Sequence, residues 1–153
     1  MYKKLTIYSI ILIIMDQMIK IFVSNSLKLY ESIIVIKNIF YITYVQNKGA
    51  AWSILTGNRF LLIGIAIIAL FMIFIFFIKG NKLSKLEVIF YSLLIGGIVG
   101  NLIDRAIYGY VIDYLDFNIF GYNFPIFNFA DICIVISVVL ILINSIKEEV
   151  CKK

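Results

Sequence analysis

Two aspartates, Asp113 and Asp131, are the residue types that could activate water. Asp113 lies in the stretch GGIVGNLIDRAIYGYVIDYLD (96–116), an apolar helical pattern with Asn101, Asp104 and Arg105 at its end. Asp131 closes the run FPIFNFAD (124–131), three residues after Asn128. Hydrolysing an amide requires that water lose a proton and that the leaving amine gain one. Two carboxyls sharing one proton can do both. Like charges a few ångströms apart cannot both ionise, so one pKa rises and the other falls. Asp116 is a second acid beside Asp113, and the helical pattern leaves the choice between them open; a strand would put the two on opposite sides.

Other chemistries are restricted by what the chain lacks. It contains no histidine, so Ser-His-Asp and Cys-His sites and His-ligated zinc are excluded. No spacing suggests a metal cluster, and neither a metal nor a cofactor is expected. Cys133 and Cys151, if both lie on or just after one helix, are separated by roughly 27 Å, too far for a disulfide. A Ser–Lys mechanism would use Ser53 with Lys48 or Ser24 with Lys20, and needs a lysine buried deeply enough to lose its proton. These lysines read as interfacial. Blander readings also exist: Arg105 and an aspartate as a satisfied pair on a packing seam, and Asp131 as a simple complement to a helix dipole.

The elements that must position these residues are membrane spans. The chain is 63% hydrophobic over 153 residues, where a soluble domain averages about 45–50%. Mean hydropathy is +1.03. The pattern predicts a single, mainly α membrane domain. Its expected parts are a first span at 5–22, an outer β region at 23–59, a second span at 60–78, an inner turn at 79–85, a third span at 86–108, an outer loop at 109–125, a fourth span at 126–146 and a tail at 147–153. The MYKK start before the first apolar run resembles a signal peptide, but no A-x-A pattern follows it, so it reads as a retained span. In the β region, Ile39 to Val45 is β-branched and aromatic and reads as a strand, with Ser32 to Ile36 able to pair with it. A small sheet on the outer face is expected, followed by Gly49, Ala50, Ala51 and a belt residue, Trp52.

Within the first span, Asp16 and Lys20 are spaced i, i+4 with the acid first, the favourable order for a helical pair, and Lys20 is expected to snorkel outward. On the third span, Gly97, Asn101 and Arg105 share one face, flanked by Gly100 and Asp104. Gly96, Gly97 and Gly100 would let a neighbouring helix approach closely. The net charge is +5, and the lysines gather at the expected inner ends: Lys3 and Lys4, then Lys79, Lys82 and Lys85, then Lys147, Lys152 and Lys153. Both termini are therefore expected in the cytoplasm and the polar residues at the outer face. The lysines need no nucleic acid to explain them. Four helices can enclose one site, so a monomer is expected.

The boxes DQMIK (16–20), NKGAAWSIL (47–55), GGIVGNLIDR (96–105), YVIDYLDF (110–117) and FPIFNFAD (124–131) together resemble the lipoprotein signal peptidase (signal peptidase II) family over essentially the whole chain. The resemblance implies an aspartic endopeptidase of the bacterial cytoplasmic membrane, inhibitable by globomycin-type antibiotics. Its substrate would be a diacylglyceryl-modified prolipoprotein, cut before the lipidated cysteine. It implies Asp113 and Asp131 as catalytic, which makes Asp116 the lesser candidate. Asn47, Asn101, Arg105 and Asn128, with Gly97, would hold substrate or support the site, and Asp16 would be structural beside Lys20 and Asp104. Ile132 and Ser137 depart from the family's usual small polar residue and glycine, which touches helix packing more than chemistry. Competing readings are an ion-coupled transporter using the same acids and a membrane scaffold built on the glycine seam.

Overall fold

The computed structural model describes residues 1–49 and 55–151. Four helices and a small sheet follow in the order α1 (Tyr2–Ser26), β1 (Ser32–Ile36), β2 (Phe40–Asn47), α2 (Arg59–Met72, continuing as a π-helical turn over Ile73–Ile78), α3 (Lys85–Ile107), β3 (Val111–Ile119), β4 (Tyr122–Asn123) and α4 (Phe129–Cys151). All four helices are long and apolar enough to cross a membrane, and many of their large apolar side chains, such as Phe22, Phe60 and Ile68, point outward. That is the pattern of a multi-pass protein whose outer surface meets lipid. Ala50, Ala51, Trp52 and Ser53 lie outside the described residues.

Helix α3 is the central element and packs against α1, α2 and α4. It starts at a capping box: Ser84 Oγ accepts from the Glu87 N–H (3.2 Å), and Glu87 Oε2 accepts from the Ser84 N–H (2.8 Å). It ends two residues before Gly109, whose φ of +85° turns the chain into β3. Arg59, at the start of α2, donates to the orphan carbonyl of Ala106 (2.7 Å). The exit of α3, and hence the start of the strand that carries Asp113, is held from both sides.

The sheet is antiparallel in the order β1-β2-β3-β4. The connection 109–125, expected to be a loop, therefore supplies two of its strands. The run VIDYLDFNI is rich in Val, Ile, Tyr and Phe, which suit a pleated, half-buried surface, and it lies against β2. Between Ile42 and Val45 the register slips by one residue, a bulge on β2. Beyond it Val45 pairs with Asp113 and Asn47 with Val111. Asn47 and Asp113 thus become diagonal neighbours on one face.

Close approach by α1 and α4 depends on two glycines of α3. A Cβ at Gly97 would stand 2.5 Å from the Ala130 carbonyl oxygen and 2.7 Å from Ile134 Cγ1. A Cβ at Gly100 would stand 2.6 Å from Asp16 Oδ2. The first contact is with backbone at the start of α4, so relief requires moving that helix. Ser137, where the resemblance implies a glycine, is accommodated: it is fully buried, and its hydroxyl donates to Ile134 O at 2.7 Å. Gly97→Ala is expected to lower stability in detergent by about 1–3 kcal/mol through overpacking, read as a fall in melting temperature. An unchanged melting temperature would contradict the tight α3–α4 contact.

Candidate active site

The start of α4 is fixed by three different elements. Asn128 is its N-cap: its Oδ1 accepts from the Asp131 N–H (3.0 Å), while Asp131 Oδ2 accepts from the Asn128 N–H (3.2 Å). This reciprocal pair is a capping box built from Asn and Asp. The two other free N–H groups of the first turn go elsewhere. Phe129 N donates to the Tyr114 hydroxyl of β3 (3.2 Å), and Ala130 N donates to Asp16 Oδ1 of α1 (3.1 Å). The orphan donors of a helix start are thereby satisfied, and Asp131 is held in one orientation.

Asp113 stands on β3 and is 2% exposed. Its Oδ2 accepts from Asn47 Nδ2 (2.9 Å) and its Oδ1 from Asn128 Nδ2 (2.6 Å). Asp131 Oδ1 accepts from Asn101 Nδ2 (2.8 Å). All four carboxyl oxygens of the two aspartates therefore hold an N–H donor, and Asn128 touches both residues. Asn128 Nδ2 also donates to Asn101 Oδ1 (3.2 Å), which closes the ring of amides. Burial, then the nearby Asp131 carboxylate, pushes the Asp113 carboxyl up to about 7. Asp116 sits three residues on, on the opposite face of the strand, and takes a hydrogen bond from Thr43 Oγ1 (2.7 Å). It is apart from the pair.

Both aspartates line a cavity of about 510 Å³. Its polar end is Asn47, Asn101, Arg105 and the two acids; Phe127, Ile132 and Val135 contribute apolar wall. The volume is that of a small-ligand or peptide site. Arg105 donates from Nη2 to Gly49 O (2.9 Å) and from Nη1 to Asn101 O (3.5 Å), while its buried Nε has no hydrogen-bond partner. It makes no ion pair with Asp104, whose carboxylate pairs with Lys20 instead, so the blander reading of a satisfied Arg–Asp seam does not hold for that acid.

Lys20 differs most from expectation. It does not snorkel: it is 1% exposed, with Nζ 2.8 Å from Asp16 Oδ2 and 2.9 Å from Asp104 Oδ2. Its third contact is Asn101 Oδ1, at 2.9 Å. Lys20 directs all three N–H donors at Asp16, Asp104 and Asn101, and Ser24 spends its hydroxyl on Ile21 O at an exposed position. The Ser24–Lys20 alternative therefore has no support. Lys48 is exposed, and its proposed partner Ser53 lies outside the described residues. Among the described residues no acid, His or Cys cluster could hold a metal ion. Cys133 is a buried free thiol.

The model of the signal peptidase (SPase) II family matches residues 8–147. The chain belongs to the signal peptidase II family. Within it, the chain is 43% identical over 140 residues to the lipoprotein signal peptidase of Halothermothrix orenii, covering 92% of this chain and 93% of that one. It is 42% identical over 145 residues to the Staphylococcus aureus lipoprotein signal peptidase, covering 95% and 89%. Two solved structures described as bacterial membrane enzymes superpose with TM-scores of 0.89 and 0.83, each at 40% identity. The first covers 97% of this chain and 91% of its own, the second 94% and 92%. As a signal peptidase II family member, the chain is a multi-pass membrane peptidase with four spanning helices and a small antiparallel sheet.

The raised Asp113 carboxyl has a direct spectroscopic consequence. Below about pH 7 it holds its proton, and above that it ionises. Infrared difference spectra should show a protonated carboxyl band that disappears with a midpoint near pH 7 and is missing in Asp113→Asn. A carboxylate already ionised at pH 5 would contradict the burial argument.

Proposed function

We propose that this chain is an intramembrane aspartic endopeptidase that removes signal peptides from diacylglyceryl-modified prolipoproteins, cutting before the lipidated cysteine. The observation that carries the reading is the pair itself: Asp113 and Asp131, from a strand and a helix, line one cavity with every oxygen oriented by an amide donor. In this reading Asp131, at a helix N-terminus, is the ionised member, and Asp113, buried on the strand, carries the proton. Asp131 takes a proton from water as the oxygen attacks the scissile carbonyl carbon. Asp113 gives its proton to the carbonyl oxygen, forming a neutral gem-diol. Collapse returns a diol proton to Asp113, while Asp131 delivers its own to the departing amine, so the dyad ends as it began. Asn47, Asn101 and Asn128 hold the carboxyls, and Arg105 offers its unspent N–H groups to substrate carbonyls in the cavity. Gly97 keeps α4 close enough for the pair to meet.

The substrate reading uses the cavity's apolar wall together with its membrane position. Each buried CH₂ of an acyl chain contributes about 0.8 kcal/mol, so a diacylglyceryl group in lipid is a strong handle that needs no deep side-chain pocket. The lysine bias puts both termini in the cytoplasm and the cavity at the outer face of the bacterial cytoplasmic membrane. One chain supplies every group of the site, which fits a monomer. A cyclic lipopeptide of the globomycin type would compete for the same cavity. A transporter would need its acids along a path through the membrane, whereas here Asp113 and Asp131 line one cavity with Asn47 and Asn101.

Cleavage of a lipid-modified lipobox peptide by purified protein tests this. Wild type should release a product beginning at the modified cysteine. Asp113→Asn and Asp131→Asn should each lower kcat on the order of 10⁴-fold while remaining folded in detergent. Turnover near wild type by either variant removes the dyad. The kcat/KM profile should fall as pH rises past about 7, when the shared proton is lost; a rate still rising through pH 9 contradicts the assignment.

A further inference from the structure

Lys20 does more than balance charge. Its three N–H donors go to three acceptors: one hydrogen-bonds Asp131 itself, and the other two hydrogen-bond the backbone N–H of the residue just before each aspartate. Asp16 Oδ2 takes the first, and Asp16 Oδ1 accepts from the Ala130 N–H, the peptide immediately before Asp131. Asp104 Oδ2 takes the second, and the same oxygen accepts from the Ile112 N–H (3.2 Å), the peptide immediately before Asp113. Asn101 Oδ1 takes the third, which leaves Asn101 Nδ2 facing Asp131 Oδ1. Gln17 Nε2 links the two acids of the cluster, at 3.2 Å from Asp16 Oδ2 and 2.9 Å from Asp104 Oδ1. Asp16, Lys20 and Asp104 are each at most 1% exposed.

We infer that Lys20 is a positioning residue for the peptidase reaction: one ammonium sets the separation of strand β3 from helix α4 at the two aspartates and fixes which end of the Asn101 amide meets Asp131. The inference rests on the dyad reading above. The geometry is specific. An amide can rotate by 180° and present oxygen instead of nitrogen, and an oxygen facing the Asp131 carboxylate would repel it. The ammonium at 2.9 Å from Asn101 Oδ1 excludes that orientation, because a flipped amide would bring N–H against N–H. Asp16 and Asp104 are likewise held as acceptors, so the peptides at 130 and 112 keep fixed places relative to each other. A purely structural ion pair would need only its own two partners. Here one branch ends on the Asp131 carboxylate, and the other two end on the backbone N–H of Ala130 and Ile112, each one residue before a reacting aspartate.

Three variants separate positioning from charge balance. Lys20→Met removes all three donors and leaves two buried carboxylates unpaired. Asp16→Asn/Lys20→Met/Asp104→Asn removes the donors without leaving net charge. Lys20→Gln keeps a neutral N–H donor at about the same place. The readouts are kcat, KM and melting temperature on the lipid-modified peptide. Positioning requires that kcat fall about 100-fold in the triple variant, the cost of a displacement of about 1 Å, with KM within about twofold and melting restored toward wild type. Lys20→Gln should recover more kcat than Lys20→Met. If kcat instead tracks melting temperature across whichever of these variants fold, so that the charge-free triple variant regains wild-type turnover, Lys20 is structural only and the inference is overturned. Full activity in Lys20→Met overturns it as well. Failure of the dyad reading is recognised separately, because it appears as turnover by Asp113→Asn or Asp131→Asn.

Discussion

A single ammonium shared by two carboxylates inside a bundle of membrane helices is the constraint on which the rest depends. A charged side chain at the centre of a spanning helix costs about 2.5–3.5 kcal/mol on insertion scales, and three of them would be prohibitive if unpaired. Lys20, Asp16 and Asp104 remain buried because each donor and acceptor finds a partner in reach. A buried ion pair contributes little net stability over an apolar replacement of the same volume, but removing one partner costs much more. The cluster is therefore better understood as a device that fixes geometry than as a source of stability. It joins α1 to α3, α3 to β3 and α1 to α4, and only the close packing at Gly97 and Gly100 brings those elements near enough.

From that junction the site follows by short steps. Gly109 turns α3 into β3, the bulge on β2 brings Asn47 diagonal to Asp113, and the capping box at Asn128 sets Asp131 at the first turn of α4. Helix starts and strand ladders are the rigid parts of a fold, so both acids stand on elements with little freedom. The amides between them are each oriented by another partner: Asn101 by Lys20, Asn128 by the Asp131 N–H, and Asn47 by the Gly49 N–H (2.9 Å). A buried network is useful only when every member is satisfied. The exception is Arg105 Nε, and Arg105 lines the cavity.

The four spans, the presence of a sheet and the meeting of Asp113 with Asp131 at one cavity are legible in the sequence. Long apolar runs leave few alternatives, and Asp113 and Asp131 lie in motifs dense in polar residues at membrane depth. The third strand is harder to see, because a short segment between two spans reads as a loop. Its signal was nonetheless there: Val, Ile, Tyr and Phe crowd positions 111–119. That strand also separates Asp113, which lines the cavity, from Asp116, which falls on the opposite face. The spacing of Asn128 and Asp131, N-x-x-D before an apolar run, is itself a cap signature. The burial of Lys20 is hidden for a deeper reason. An i, i+4 pair on one helix looks complete by itself, and its second acid, Asp104, lies on α3 far along the chain. Only the folded packing of α1 on α3 brings it within 2.9 Å.

The most direct test of the central claim is a crystal structure of the protein with a lipid-modified lipobox peptide whose scissile amide is replaced by a hydroxyethylene group. That group mimics the tetrahedral gem-diol. The account expects its hydroxyl oxygen within hydrogen-bond distance of both the Asp113 and Asp131 carboxyls, with the peptide lying in the cavity they line. A hydroxyl bound to only one of them, or seated against a serine or lysine elsewhere, would contradict it.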